Sequence, residues 1–87
     1  MMIDEINNII REALTDLEYK IPDNFSVEAS IDTNHGDYAS NVAMILAKDL
    51  KQSPQEIAQS IVAEAISKST FEHVEVAGPG FINFWLS

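Results

Sequence analysis

The segment Gly78-Pro79-Gly80 constrains the fold of this chain more than any other. It stands between two runs of strand composition, residues 71–77 and 81–86. A Gly/Pro connection this tight joins antiparallel neighbours. The end of the chain is therefore expected to form a β-hairpin. In its second run Ile82, Phe84 and Leu86 share one parity and suit a core face. Phe81, Asn83 and Trp85 share the other parity and should point away from the core.

A hairpin with one apolar face needs a cover, and the rest of the chain supplies helices. Over residues 3–19, Ile3, Ile6, Ile10, Ala13, Leu14 and Leu17 make one stripe of a 3.6-residue period. Asp4 and Glu5 in its first turn and Lys20 after its last suit the helix dipole, and Pro22 ends the pattern. Residues 25–31 switch to period two, with Phe25, Val27, Ala29 and Ile31 alternating with Ser26, Glu28 and Ser30. That is a half-buried strand, and residues 32–36 are a loop by composition. A second helix is expected to start near Asp37 as N-cap, with Ala39, Val42, Ala43, Leu46, Ala47 and Leu50 as its stripe. Ser53-Pro54-Gln55-Glu56 signals a third helix through a cap, a proline at the first position and a capping box. Its stripe is Ile57, Ala58, Ile61, Val62, Ala65 and Ile66, and the short spacer before it implies an αα-hairpin. The expected order is α-β-α-α-β-β, an α+β fold with helices packed on one face of a small antiparallel sheet.

Eighty-seven residues make one domain, residues 1–87, without an internal repeat or linker. An apolar fraction of 46% separates the chain from disordered acidic tails. Five basic against 14 acidic residues leave a formal charge of −9. Tight autonomous binding to nucleic acid needs clustered Lys and Arg, and so does adhesion to anionic membranes. The absence of cysteine excludes disulfides and thiolate metal sites. Without a long apolar run or a basic leader, no membrane partner is expected, and the cytoplasm is the expected compartment.

Catalytic candidates are few. His35 and His73 are separated by two predicted helices. His35 beside Asp37 reads as a loop residue next to a helix cap, and His73 as an exposed strand residue. No spacing fits a metal site, and Gly78-Pro79-Gly80 lacks the lysine and following helix of a phosphate-binding loop. Ser40 and Ser53 read as helix-start residues. The unusual feature is the outward parity of the last strand, with two aromatics flanking an amide. Aromatic faces stack on unpaired bases, and an amide between them reads a base edge. The same face also suits packing against another part of a longer protein, or a strand buried on both sides. The chain stops directly after this strand, as expected of a domain cut from a larger chain or of a small protein's natural end.

Several segments are familiar together. They are His35-Gly36-Asp37-Tyr38-Ala39-Ser40-Asn41-Val42-Ala43, Ala47-Lys48, Pro54-Gln55-Glu56-Ile57-Ala58 and Val74-Glu75-Val76-Ala77-Gly78-Pro79-Gly80-Phe81-Ile82-Asn83-Phe84. In order and across nearly the whole chain they closely resemble the N-terminal additional domain of arginyl-tRNA synthetases. The resemblance implies a parent class I enzyme, an arginine–tRNA ligase that uses ATP, with magnesium, to join arginine to its tRNA. It implies that this domain docks the D-loop at the elbow of tRNA(Arg). The aromatic that packs on the D-loop base matches Phe81, and the amide that hydrogen-bonds it matches Asn83. Some members carry Asn at the position of Gly78; here a contact from that position is expected from backbone alone. Trp85 joins the candidate tRNA-binding residues through strand parity. The His-rich ATP-binding motif and the Lys-Met-Ser-Lys-like loop of class I synthetases are not in these residues. The chain alone is therefore expected to need no cofactor, to be non-catalytic, and to bind tRNA only weakly. Its other expected partners are the catalytic and anticodon-binding domains of the same parent chain. The alternative is a protein–protein interaction module anchored by Phe81 and Trp85.

Overall fold

The computed structural model describes residues 2–30, 36–68, 71 and 73–85. The chain folds as α1 (Met2–Asp16), β1 (Val27–Ala29), β2 (Tyr38–Ser40), α2 (Val42–Leu50), α3 (Pro54–Lys68), β3 (His73–Ala77) and β4 (Phe81–Trp85). The α+β class holds, and the six expected elements occur in the expected order. One further strand, β2, stands where the second helix was expected to begin. Among the described residues the sheet has four strands in the order β1-β2-β4-β3, every pairing antiparallel.

Each helix is an amphipathic cover. Ile6, Ile10, Ala13 and Leu14 of α1, Val42, Ala43 and Leu46 of α2, and Ile57, Ala58, Ile61 and Ala65 of α3 are buried. All of these but Ala65 join Val27, Val74, Ile82 and Phe84, from one face of the sheet, in a single core cluster. Fully burying each large aliphatic or aromatic side chain contributes about 1.5–3 kcal/mol. The expected stripes thus supply the core, except that Ala39 lies on β2 facing away from it and Ile66 is exposed at its margin. Phe25 is half-buried and Val27 buried, whereas Ala29 is exposed at the sheet edge; Ile31 and loop residues 32–35 lie outside the described residues.

Asp37 does not cap a helix. Its N–H donates to the Phe84 carbonyl at 2.8 Å, and its own carbonyl accepts from the Ser30 N–H at 2.9 Å. Pairing with β1 and β4 makes residues 38–40 a strand, because the two neighbours satisfy its backbone groups at once. Gly36 permits that approach: it is buried with φ +89°, and a Cβ there would lie 2.8 Å from the Phe84 carbonyl oxygen. The start of α2 falls on Asn41, whose side-chain oxygen accepts from the Ser26 N–H at 2.9 Å. Buried Ser40 takes the Val42 N–H on its hydroxyl at 3.3 Å, which supports its reading as a helix-start residue.

Helix α1 ends three residues before the expected limit at Tyr19, and the cause is local. The Glu18 N–H donates to the Thr15 carbonyl at 3.1 Å and the Tyr19 N–H to the Leu14 carbonyl at 2.9 Å, a Schellman cap. Glu18 occupies its left-handed position with φ 61°, where a Cβ is disfavoured. Glu18→Gly is expected to stabilise the chain by about 0.5–1 kcal/mol, read as a raised urea midpoint. An unchanged or lowered midpoint would contradict this account of the cap.

Candidate functional site

The helices cover one face of the sheet and leave the other open. Register assigns the residues of that open face. Glu28 of β1 lies opposite Ala39 of β2, Ala39 opposite Asn83 of β4, and Asn83 opposite Glu75 of β3. On either side of this row, Phe81 pairs with Ala77 and Trp85 with His73. The expected parity of the last strand therefore holds where it is described: Ile82 and Phe84 are buried in the core, and Phe81, Asn83 and Trp85 face away from the helices. Leu86 lies outside the described residues.

Phe81, Asn83 and Gly78 come together in one depression of ≈ 390 Å³, completed by Ser30, Ala39, Ala77 and Pro79. Phe81 is 40% exposed, a high value for a large apolar ring, whereas Asn83 is only 3% exposed. Asn83 lines the depression, so its side-chain amide brings donor and acceptor capacity to it, and among the described residues no buried side-chain nitrogen or oxygen lacks a hydrogen-bond partner. The site is thus an apolar slot with a polar group at its floor, a shape suited to a flat, uncharged ring with a hydrogen-bonding edge.

The sequence motifs at the slot act as its frame. Gly78 and Gly80 have positive φ, and the Gly80 N–H donates to the Ala77 carbonyl at 3.3 Å to close the turn. The N-terminus of α3 holds the same turn from below: the Gln55 side-chain amide donates to the Gly78 carbonyl at 3.0 Å. Phe81 follows this braced turn directly. Sequence reasoning missed Ser30, Ala39, Ala77 and Pro79 as walls. Ala39 in particular was expected on a helix stripe, although its small size is what opens the slot beside Asn83.

Trp85 shares the open face but does not line the slot. Its ring lies 5.0 Å from the His73 ring, tilted by 55°, and His73 Nε2 contacts Glu75 Oε2 at 2.7 Å. A second cavity, between α1 and α3, is lined by Arg11, Glu12, Thr15, Asp16 and Lys68. Two of its lining residues, Lys68 and Asp16, form an ion pair whose hydrogen bond holds the lysine pKa above its ordinary value. His35 lies outside the described residues.

A family model described as "Arginyl tRNA synthetase N terminal domain" matches residues 4–86. The chain belongs to that family. An arginine–tRNA ligase of Staphylococcus epidermidis is 48% identical over 86 residues, covering 98% of this chain and 15% of the relative. One of Staphylococcus aureus is 44% identical over the same 98% and 15%. The chain thus spans 15% of the length of these curated relatives. The solved arginyl-tRNA synthetase of Thermus thermophilus has a TM-score of 0.73 at 30% identity, covering 100% of this chain and 14% of that one. That of Plasmodium falciparum has a TM-score of 0.84 over 99% of this chain and 16% of that one; at 22% identity the likeness shows the fold alone. In this N-terminal domain the Gly-Asp-Tyr-Ala-Ser-Asn segment carries β2 alongside β4, with Tyr38 opposite Phe84, and Gln55 supports the turn. Among the described residues no helix is long and apolar enough to cross a membrane.

Proposed function

We propose that this domain docks the D-loop at the elbow of tRNA(Arg) for an arginine–tRNA ligase. The slot on the open sheet face carries this reading: Phe81 stacks on an unpaired base, and the Asn83 amide in the slot lining hydrogen-bonds its edge. Gly78, in a turn held by Gln55, brings backbone to the rim. Trp85 lies further along the same face and offers a second aromatic surface. Arginine activation, with ATP and magnesium, belongs to the class I catalytic domain of such a ligase, a cytoplasmic enzyme in this reading. With a charge of −9 the isolated domain binds tRNA weakly, since phosphate neutralisation supplies most non-specific affinity.

The test is tRNA-dependent kinetics of the full-length protein. Phe81→Ala is expected to lower affinity for tRNA(Arg) by about 1–3 kcal/mol, the worth of one stacked base, raising KM for tRNA while kcat changes little. Asn83→Ala should act in the same direction. Unchanged tRNA kinetics in both variants would overturn the site. Lost association with another domain, with tRNA kinetics intact, would instead favour a protein-binding face anchored by Phe81 and Trp85.

A further inference from the structure

The open face combines stacking groups with the wrong charge for a general single-strand binder. Surfaces that hold single-stranded nucleic acid without sequence preference pair aromatic platforms with a basic groove along the backbone. Here Phe81 and Trp85 lie four residues apart on β4, about 13 Å along an extended strand. An unstructured strand has room to lie across both. Yet the five Lys and Arg residues of the chain, at positions 11, 20, 48, 51 and 68, all fall outside the strands. The charges placed beside the slot are carboxylates. Glu75 is directly opposite Asn83 and exposed, and Glu28 is exposed on the same row two strands away, about 10 Å from Asn83. Both lie within about one screening length of the amide at 0.1 M salt.

We infer that Glu28 and Glu75 are specificity-determining residues of this site, rejecting any nucleic acid whose phosphates run across the sheet. Accepting the docking of a base between Phe81 and Asn83, the slot has room for the neutral ring and the flanks repel the backbone. A base that protrudes from a folded loop enters with its phosphates held away from the face. An extended single strand brings several phosphates against the two carboxylates and meets repulsion that no Lys or Arg on the strands offsets. Among the described residues His73 is the one cationic-capable group on the face, and it is already engaged with Glu75. The rejection is electrostatic, so it weakens with salt, unlike the stacking of Phe81.

The test compares two RNAs on the full-length protein: a tRNA(Arg) transcript and a short, unstructured oligouridylate. Glu28→Gln, Glu75→Gln and their combination remove charge at exposed positions with little change in shape. The double variant is expected to bind oligouridylate roughly three- to tenfold more tightly at low salt, with the tRNA-to-oligouridylate affinity ratio falling accordingly and the effect fading at high salt. Glu28→Asp with Glu75→Asp should keep the wild-type ratio, since charge and not length sets it. Phe81→Ala, measured in parallel, tells the two ideas apart. A ratio unchanged by the Gln variants, while Phe81→Ala still weakens tRNA binding, overturns the role of the two glutamates alone. Full tRNA affinity in Phe81→Ala removes the docking site and this inference with it.

Discussion

Phe84→Ala is expected to destabilise the chain by about 3–5 kcal/mol, the usual cost of emptying a buried phenyl site. A domain of this size has roughly 4–13 kcal/mol to lose, so the variant should be largely unfolded in mild denaturant. Phe84 is fully buried at the centre of the sheet, between Tyr38 of β2 and Val74 of β3. Its ring meets Phe71 edge-on, with centroids 5.4 Å apart and planes at 62°. Helices cover it from the other side, so the surroundings are elements from the whole chain that cannot all collapse inward. Phe84→Leu keeps most of the volume and should cost under about 2 kcal/mol. Urea midpoints of the two variants measure the difference, and an Ala variant within about 1 kcal/mol of the parent would contradict this picture of the core. Phe84 lies between Asn83 and Trp85 on β4, so loss of tRNA docking in Phe84→Ala should track the unfolded fraction. In Phe81→Ala the fold should persist while docking is weakened by about 1–3 kcal/mol.

Much of this architecture was legible because it is local. The stripe Ile6, Ile10, Ala13 and Leu14, the alternation Ile82 and Phe84, and the Gly78-Pro79-Gly80 turn each state their structure within a few residues. Strand β2 was hidden for the opposite reason. Three residues, Tyr38 to Ser40, are too short to show a period, and Ala39 falls in phase with the stripe of α2 that follows. What makes them a strand is β1 on one side and β4 on the other, partners from distant sequence. The site divides the same way. Parity placed Phe81, Asn83 and Trp85 on the open face, but only the register reveals that buried Asn83 lies between Ala39 and Glu75 there. Trp85 turns toward His73, a cross-strand neighbour that only the register reveals. Glu18 in a left-handed cap was unreadable because its residue type argues against that conformation.

The turn that presents Phe81 leads to the second large effect, Gly80→Ala, expected to cost about 2–5 kcal/mol through backbone strain and overpacking together. Gly80 has φ +134°, a region L residues rarely adopt. An added Cβ would lie 2.7 Å from Pro54 Cβ and 3.2 and 3.3 Å from the Pro54 carbonyl carbon and oxygen. Pro54 cannot yield: its φ is locked and it begins α3, whose Ile57 and Ala58 are in the core. The turn must therefore lift from the helix, straining the Gln55 contact to Gly78 and the hairpin register behind it. Gly78 provides the control two residues away. With φ +56° its backbone is in the left-handed region that Asn tolerates, and its nearest obstacle is a Phe81 ring carbon at 3.9 Å. Gly78→Asn should thus cost less than about 1 kcal/mol. The pair separates two requirements that one Gly-Pro-Gly motif conceals: a turn conformation at Gly78, and empty space against α3 at Gly80. Equal losses for Gly80→Ala and Gly78→Asn in urea unfolding would mean that Pro54 does not brace the turn. If it does, Gly80→Ala should also weaken tRNA docking beyond its unfolded fraction, because Phe81 moves with the lifted turn.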